Sequence, residues 1–379
     1  NRSLFKGISL LPGGSKWEFN GVGHVKKTTY FKPDIWEKQP LLRGEEYYDK
    51  LKETFTRILP RYFKGKNKVG MSLTGGLDGR MIMAWENLSP GCLPCYTFSS
   101  MYRECTDVRI ARRVAKVCNQ SHETIIVGPQ FYSEFSNLAE KTIYLSDGAM
   151  DVTGSVELYV NKLARQIAPV RLTGNYGSEI LRGSVAFKPG SLPTQLLDPE
   201  FYQQARAAET TYNSERQGNP LSFIAFKQVP WYHYSRLSVE LSQLTVRSPY
   251  LDNDLVSLMY RAPTNLLLSK ELSLRLIADG NANLAQIPTD RGFLYRPIPV
   301  LTKCHHLYEE FMFKAEYVYD YGMPPWLARF NRVASPLQIE KMFLGRHKFY
   351  HFRTWFRDEL SEYVKEMLLD ERTLGRPYW

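Results

Sequence analysis

The order of apolar and polar positions switches repeatedly between two periods along the first half of the chain. Val69, Met71 and Leu73 alternate with small or polar residues, which is typical of a strand that enters a glycine turn. Residues 107–120 instead repeat apolar residues on one helical face. Further strands are predicted at 93–98, 122–128 and 169–174, and a helix is predicted at 80–87.

Alternating strands and helices predict an α/β fold with a parallel sheet, whose ligands bind beyond the carboxyl ends of the strands. From about Asp198 the pattern is mostly helical to the end of the chain. Residues 1–35 differ from the rest, because two short apolar runs surround Pro12, Gly13 and Gly14. That arrangement predicts a hairpin.

Composition narrows the class of protein. The chain has 379 residues, of which 43% are hydrophobic, 13% aromatic and 23% charged, so it is globular rather than disordered. No apolar run is long enough for a membrane helix, and no signal peptide is recognisable. The net charge of +10 is spread along the chain, which favours an enzyme with anionic substrates over a nucleic-acid binder. The aromatic residues of the tail are predicted to pack between helices rather than stack on bases: Trp355, Phe356 and Tyr363.

The cysteine count indicates a reducing compartment, and we expect a cytoplasmic protein. Five cysteines in a chain of this length do not form a typical disulfide framework. Cys92 and Cys95 form a C-x-x-C pair that fits either half of a redox or zinc site or two structural residues. Because no second pair accompanies it, the structural interpretation is favoured.

The first segment with candidate chemistry follows the strand at 69–73. Its glycines let the backbone approach an anion closely, and a helix that begins there directs free N–H groups toward that anion. A carboxylate in such a loop repels phosphate unless Mg²⁺ lies between them. The alternative is an ordinary strand-to-helix turn with a capping aspartate. The predicted ATP-binding residues of this loop are Ser72, Thr74, Gly75, Gly76, Asp78 and Gly79.

Three segments together resemble a known family. Residues 74–79, T-G-G-L-D-G, resemble the S-G-G-x-D-S pyrophosphate loop of ATP pyrophosphatases. Residues 173–179, T-G-N-Y-G-S-E, resemble the G-x-G-[SA]-D-E segment of asparagine synthetases, and residues 247–252, R-S-P-Y-L-D, resemble their R-x-P-F-L-D. In this order they resemble the ATP-pyrophosphatase synthetase domain of the asparagine synthetase family, over about residues 36–379.

The resemblance implies a Rossmann-like parallel sheet of the adenine nucleotide alpha hydrolase type, with helices on both faces. It also implies a ligase that uses ATP and Mg²⁺ to adenylate a carboxylate, releases pyrophosphate and passes the acyl group to an amine, as in asparagine biosynthesis. Arg291 is the cation nearest to the position of a family lysine, where this chain has Asp290. The implied roles are Mg²⁺ ligands for Asp78 and Glu179, an ATP contact for Gly177, pyrophosphate contacts for Arg247 and Lys270, and catalysis for Tyr176, Lys270 and Arg291.

Tyr176 resembles a tyrosine of the related β-lactam synthetases, which helps to deprotonate the attacking amine. A tyrosine performs that task only with a lowered pKa or with a partner carboxylate, for which Glu209 and Glu215 are candidates. The alternative is that Tyr176 only packs over the substrate.

Other functions stay open at this point. The same domain could serve a cyclising synthetase, a tRNA-modifying ATP pyrophosphatase, or a non-catalytic nucleotide-binding scaffold, since Gly79, Ile180 and Asp290 depart from the active pattern. We expect small-molecule or peptide carboxylate and amine substrates, with no nucleic acid and no membrane; a homodimer is left open. Residues 1–35 resemble the last strands of a glutaminase-type domain, or they form a linker hairpin. Such a domain needs a nucleophilic amino-terminal cysteine, and residue 1 is Asn. We therefore expect either that the rest of the domain lies upstream or that the amine comes from another source.

Overall fold

The fold is α/β, as the alternation of strands and helices predicts. The computed structural model of the protein describes residues 5–21, 23, 25–185, 189, 198–267, 269–295, 299–324, 327 and 339–371. Its strands are β1 (Ser15–Phe19), β2 (Val25–Thr29), β3 (Val69–Ser72), β4 (Cys95–Ser100), β5 (His122–Val127), β6 (Val170–Thr173) and β7 (Thr245–Arg247).

The central sheet has five parallel strands in the order β5-β4-β3-β6-β7. In the register of β3 and β6, Val69 lies opposite Val170 and Ser72 opposite Thr173. The chain reverses its direction of winding between β3 and β6, which is where ligands bind in open parallel sheets. β1 and β2 form a separate antiparallel hairpin.

Helices fill the connections and most of the second half of the chain. Long ones are amphipathic: α2, for example, buries Leu51, Phe55 and Ile58 on one side. The helices are α1 (Asp34–Glu37), α2 (Gly44–Ile58), α3 (Pro60–Phe63), α4 (Asp78–Trp85), α5 (Thr106–Val117), α6 (Pro129–Leu145), α7 (Ser155–Ile167), α8 (Gly177–Arg182), α9 (Pro199–Glu215), α10 (Pro220–Phe223), α11 (Val229–Leu241), α12 (Asn253–Met259), α13 (Glu271–Gly280), α14 (Ala282–Ala285), α15 (Pro299–Tyr321), α16 (Phe352–Arg357) and α17 (Ser361–Leu369).

Two hydrophobic clusters hold the helices against the sheet. One joins Met71 of β3 to apolar residues of α2, α4, α12 and α13. The other joins Tyr96 of β4 to α6, α7 and α16, and includes Trp355, which is fully buried and confirms the predicted packing role of that residue. Each large apolar side chain buried in this way stabilises the fold by roughly 1.5–3 kcal/mol. Both clusters pack helices against the sheet, and this packing supports the strands from which the glycine turns emerge.

Some predicted boundaries need correction. The hairpin turns between Asn20 and Gly23, where the Gly23 N–H donates to the Asn20 carbonyl, and not at the Pro-Gly-Gly sequence, which precedes β1. The predicted strand at 93–98 is β4, which begins and ends two residues later. Cys95 is buried at its start, whereas Cys92 precedes it and is exposed. β7 has only three residues and no apolar alternation, so no local pattern predicts it. No helix of the described residues is long and apolar enough to traverse a bilayer.

Candidate active site

Two glycine turns meet at the carboxyl edge of the sheet. The first follows β3 and leads into α4, and the second follows β6 and leads into α8. Because β3 and β6 are hydrogen-bonded parallel neighbours, both turns leave the sheet at the same edge. A methyl group added at Gly174 would lie 2.5 Å from the backbone nitrogen of Gly79, and one at Gly177 would lie 2.4 Å from Cγ of Asp78. The two turns are therefore in direct contact.

The first loop is held in shape from three sides around Gly75. Its N–H donates to Oδ1 of Asp107 at 2.8 Å, and its carbonyl accepts from Nη2 of Arg80 at 3.1 Å. The backbone N–H of Asp290 donates to the same carbonyl at 3.2 Å. A methyl group at Gly75 would lie 2.8 Å from Cβ of Asp290, so the close approach of these two backbones requires glycine.

The remaining loop residues divide between an open side and the core. The Gly76 N–H donates to Oγ1 of Thr74 at 3.3 Å, and a methyl group at Gly76 would meet only that hydroxyl, at 3.5 Å. Ser72 instead donates to the Leu172 carbonyl at 3.3 Å, across to β6. A side chain at Gly79 would point into the core, 3.3 Å from the nearest side-chain atom of β3. Thr74 and Gly76 are thus the loop residues best placed to meet an anion.

Asp78 is bound by the second turn. Nη2 of Arg182 lies 2.7 and 2.9 Å from the two carboxylate oxygens of Asp78, and Nη1 of Arg182 donates to Oγ of Ser273 at 3.0 Å. The backbone N–H of Ser178 also donates to the carboxylate. Burial raises the pKa of Asp78, and the charge of Arg182 opposes that rise. This ion pair joins α4 to α8 and places a cation next to the loop.

Glu179, the second predicted metal ligand, lies in the electrostatic field of Asp78. Its Oε2 accepts from Oγ of Ser178 at 2.9 Å. Burial raises the pKa of Glu179, and the negative charge of Asp78 raises it further. The structure thus brings together the two carboxylates that the sequence assigns to one site.

These carboxylates fit Mg²⁺ held jointly with phosphate. Mg²⁺ commonly takes one or two protein carboxylates and completes its shell with phosphate oxygens and water. The charge of Asp78 makes ionisation of Glu179 more costly, and a cation beside Glu179 would relieve that cost. Within the described ranges, no group of three or more His, Cys, Asp or Glu side chains could hold a metal by itself.

Tyr176 precedes α8 in the left-handed conformation, with φ of +73°, and its side chain is buried. Burial raises its pKa well above the ordinary value, and the charge of Glu240 adds to the rise, followed by a smaller contribution from Glu179. Neither of the two predicted partner carboxylates is buried with Tyr176. Glu209 is exposed, and Glu215 is exposed and pairs with Lys227 at 3.3 Å. The carboxylates that influence Tyr176 are therefore Glu240 and Glu179, and Glu209 and Glu215 are not supported as partners.

Predicted cations gather beside the loop. The Lys270 ammonium lies 3.4 Å from the centre of the Phe293 ring. Burial lowers the pKa of Lys270, and the charges of Arg182 and Arg291 lower it further. Arg291 pairs with Glu310 at 2.6 Å. The charges of Arg182 and Arg291 thus act on Lys270, and those of Glu310 and Asp290 oppose them.

The matching family model is that of asparagine synthase, over residues 50–277, more than half of the 379 residues. The chain belongs to the asparagine synthase family. No curated protein gives a significant match. Membership makes the protein a ligase-type enzyme of a family of ATP-dependent, amide-forming synthetases.

In this asparagine synthase-family protein, the guanidinium of Arg247 is hydrogen-bonded to backbone carbonyls. Its Nη1 donates to the carbonyls of Tyr62 at 3.0 Å and Lys64 at 2.7 Å, which ties the end of β7 to the segment before β3. The contacts of Arg247 are structural, and its pyrophosphate contact stays a prediction.

Tyr250 and Asp252, three and five residues after Arg247, also have structural contacts. The Tyr250 hydroxyl donates to the Asp78 carbonyl at 2.6 Å, in a fully buried position. The Asp252 carboxylate accepts from the N–H of Asp254 at 3.0 Å and caps α12. The tyrosine hydroxyl, which a phenylalanine lacks, thus holds the first turn of α4.

Three residues of the asparagine synthase site have no assigned role in the sequence prediction: Arg80, Asp107 and Arg182. Arg80 is visible as an isolated arginine in the apolar helix that follows the loop, and it is 2% exposed. Asp107 gives no local sign, because its partner Gly75 lies 32 positions away. Ile180, a departure from the family pattern, is fully buried, so packing against the core explains an apolar residue there.

Proposed function

We propose that the protein is an AMP-forming carbon–nitrogen ligase. A carboxylate oxygen of the substrate attacks the α-phosphorus of ATP, and the bond from that phosphorus to the pyrophosphate oxygen breaks, with its electron pair leaving on pyrophosphate. An amine nitrogen then attacks the acyl carbon, AMP leaves with the electron pair of the acyl–oxygen bond, and the nitrogen loses a proton. The product is an amide.

The observation that carries the proposal is the contact between the two glycine turns, which gathers Asp78 and Glu179 at one edge of the sheet. A strand-to-helix turn with a capping aspartate would need neither the second carboxylate nor the nearby cations. The open face of Gly76 and the hydroxyl of Thr74 support a phosphate contact there, because the first N–H groups of α4 also point toward the loop.

Mg²⁺, held by Asp78 and Glu179, would offset the charge of the triphosphate. The protein's own cations would also act on the phosphate chain. Arg182 and Lys270 are poised to stabilise the negative charge that grows on pyrophosphate as it leaves, because both lie beside the loop in a partly buried environment. Arg291 would strengthen that field.

A cyclising synthetase is the second candidate, favoured by the position of Tyr176. The hydroxyl of Tyr176 does not act as a free base, because burial raises its pKa. In either candidate it would have to pass the proton of the amine on to a carboxylate, and Glu240 or Glu179 supplies one. We expect Tyr176→Phe to slow amide formation while pyrophosphate exchange continues.

The setting of the enzyme is also part of the proposal. We place it in the cytoplasm, in keeping with five free cysteines. Its substrates would be a small-molecule or peptide carboxylate and an amine. A glutaminase-type domain that includes residues 1–35, and a homodimer, stay predictions.

The test is calorimetric titration with ATP, with and without Mg²⁺, followed by ATP–pyrophosphate exchange across a panel of amino and dicarboxylic acids. We expect Mg²⁺ to tighten ATP binding in the wild type. Glu179→Gln removes one carboxylate and leaves the Asp78–Arg182 pair in place, so it should abolish most of the tightening. Asp78→Asn should do the same, with an added loss of stability.

Glu140→Gln is the matched control, since Glu140 is an exposed carboxylate on α6. Its titration curves should match those of the wild type. Equal ATP affinity with and without Mg²⁺ in the wild type, or unchanged Mg²⁺ dependence in Glu179→Gln, would refute the shared metal site.

A further inference from the structure

A segment near the end of the chain is fastened to α15 by hydrogen bonds. We call residues 343–350 the C-terminal clamp. Both carboxylate oxygens of Glu316, which is fully buried, accept backbone N–H groups of the clamp: Gly345 at 2.7 Å and His347 at 2.9 Å. The ring nitrogen Nδ1 of His347 lies 2.8 Å from the same carboxylate, and the Tyr350 N–H donates to the Tyr321 hydroxyl at 2.9 Å. The backbone of the clamp is therefore fixed.

The other side of the clamp rests on the end of β4 and the start of α5. The carbonyl of Arg346 accepts the Thr106 N–H at 2.8 Å. Gly345 has a φ of +76°, and a methyl group there would lie 3.0 Å from Cβ of Tyr102 and 3.3 Å from Oγ of Ser100. The clamp thus lies across the carboxyl end of the strand next to β3, close to the first glycine turn.

Lys348 lies in the clamp, and its ammonium has no anionic partner among the residues that the structure describes. Its side chain is half-buried, and its ammonium lies 3.9 Å from the centre of the Phe98 ring. It has no hydrogen bond or ion pair with any residue that the structure describes. Burial lowers the pKa of Lys348, and the charge of Asp107, the carboxylate that holds the Gly75 N–H, is the strongest influence in the other direction. Phe98 lies on β4, the strand beside β3, and the clamp bonds Thr106, the neighbour of Asp107, so the clamp carries Lys348 at the edge of the sheet where the loop emerges.

The carboxylates near Lys348 already accept hydrogen bonds from other groups. Asp107 accepts from the loop backbone, and Glu157 accepts from Arg236 and from the Tyr350 hydroxyl. A half-buried ammonium without an anionic partner is costly, and an anion that enters beside it lowers that cost. The charge of Arg171 also acts on Lys348 and adds to the attraction for an anion.

We propose that the Lys348 ammonium binds the phosphate chain of the nucleotide and stabilises it during adenylation. This rests on the proposed function, since the phosphate chain is that of the bound ATP. Lys348 forms no covalent bond and transfers no proton. The carboxylate oxygen bonds to the α-phosphorus, the bond to pyrophosphate breaks, and Lys348 offsets charge on the phosphate oxygens throughout. It would add a cation from outside residues 50–277, which the family model matches.

The experiment compares Lys348→Met with Lys348→Arg in the full chain. Methionine keeps an unbranched side chain against Phe98 and removes only the charge, whereas arginine keeps the charge. The probes are ATP, AMP and inorganic pyrophosphate, each titrated in excess Mg²⁺. We expect Lys348→Met to weaken binding of ATP and at least one of the other two probes by about 10- to 100-fold, the effect of one lost charge-assisted hydrogen bond. Lys348→Arg should recover to within about fivefold of the wild type.

Lys341→Met is the control, because Lys341 is exposed and contributes only its backbone carbonyl to a hydrogen bond. It should bind all three probes as the wild type does. Thermal unfolding of each variant checks that the fold is kept. Unchanged binding of all three probes by Lys348→Met, or equal losses in the Met and Arg variants, would overturn the proposal. Absence of Mg-ATP binding by the wild type would instead refute the proposed function itself.

Discussion

Gly177→Ala tests the contact between the two glycine turns directly. Gly177 is the first residue of α8, and its φ lies outside the left-handed region, so its backbone accepts alanine. Helix propensity alone predicts that alanine stabilises the protein by up to about 1 kcal/mol. The contact with Asp78 predicts the opposite sign.

The size of the effect follows from the distances. The new methyl group would lie 2.4 Å from Cγ of Asp78 and 2.7 Å from its Cβ and Oδ1, whereas carbon atoms in contact are about 3.5–4 Å apart. Asp78 therefore has to move by about 1 Å, which disturbs its ion pair with Arg182. Overpacking costs about 1–3 kcal/mol, and loss of a buried ion pair costs up to about 3–5 kcal/mol. The two side chains are only 19% and 10% exposed, so solvent screens the pair little. We expect a net loss of about 3 kcal/mol.

The assay is equilibrium unfolding in denaturant. Gly44→Ala is the matched control, because Gly44 is the first residue of α2 and a methyl group there would meet only one side-chain atom, at 3.9 Å. This control should be neutral or stabilised by up to about 1 kcal/mol. In an Asp78→Ala background, Gly177→Ala should lose about half of its cost, since the Cγ and Oδ1 contacts are gone. If Gly177→Ala is as stable as the wild type, the two turns do not touch and the shared site is wrong.

Three other changes test the surroundings of the loop. Burial and a neighbouring carboxylate raise the pKa of Asp290 to about 6. Its stabilising contribution is therefore present below pH 4 and is lost as the pH rises through about 6. Between pH 4 and pH 7, the free energy of unfolding of the wild type should fall by about 2–3 kcal/mol relative to that of Asp290→Asn. Tyr250→Phe removes the hydrogen bond to the Asp78 carbonyl, and its denaturation midpoint should fall by the equivalent of about 1 kcal/mol. Arg80→Met removes the arginine donor from the carbonyls of Ile287 and Pro288 and one of the two donors of the Gly75 carbonyl, so we expect a loss of about 3 kcal/mol in unfolding and faster hydrogen exchange of the loop amides.

Sequence reasoning predicted the parallel sheet because its signals are local. The alternation at Val69, Met71 and Leu73 marks a strand, and the glycines after it mark a turn. The sequence of β3 or β6 alone does not show that the two strands are neighbours in the sheet. The family resemblance implies that both turns belong to one site, and the observed pairing of β3 with β6 agrees with it. β7 was not predicted because its three residues form a strand by pairing with β6 and have no apolar pattern of their own.

The support around the site could not be predicted in the same way. Arg182 lies three residues after the segment 173–179, yet its pairing with Asp78 spans 104 positions and depends on how α8 leaves the sheet. Tyr250 reaches Asp78 across 172 positions. Hydrogen-bond partners of this kind are fixed by packing after the chain has folded, and no local periodicity records them.

Asp290 shows why a departure from a family pattern has to be judged by its neighbours. Read along the sequence, an aspartate in place of a cation suggests a weakened site. In the structure its Cβ would touch a methyl group at Gly75, and its backbone N–H holds the carbonyl of that glycine, so position 290 shapes the loop. Its charge is offset from elsewhere, since Arg80 and Arg291 both favour its ionised form. The departure at position 290 therefore coincides with a structural role in holding the loop, and it does not by itself indicate a weakened site.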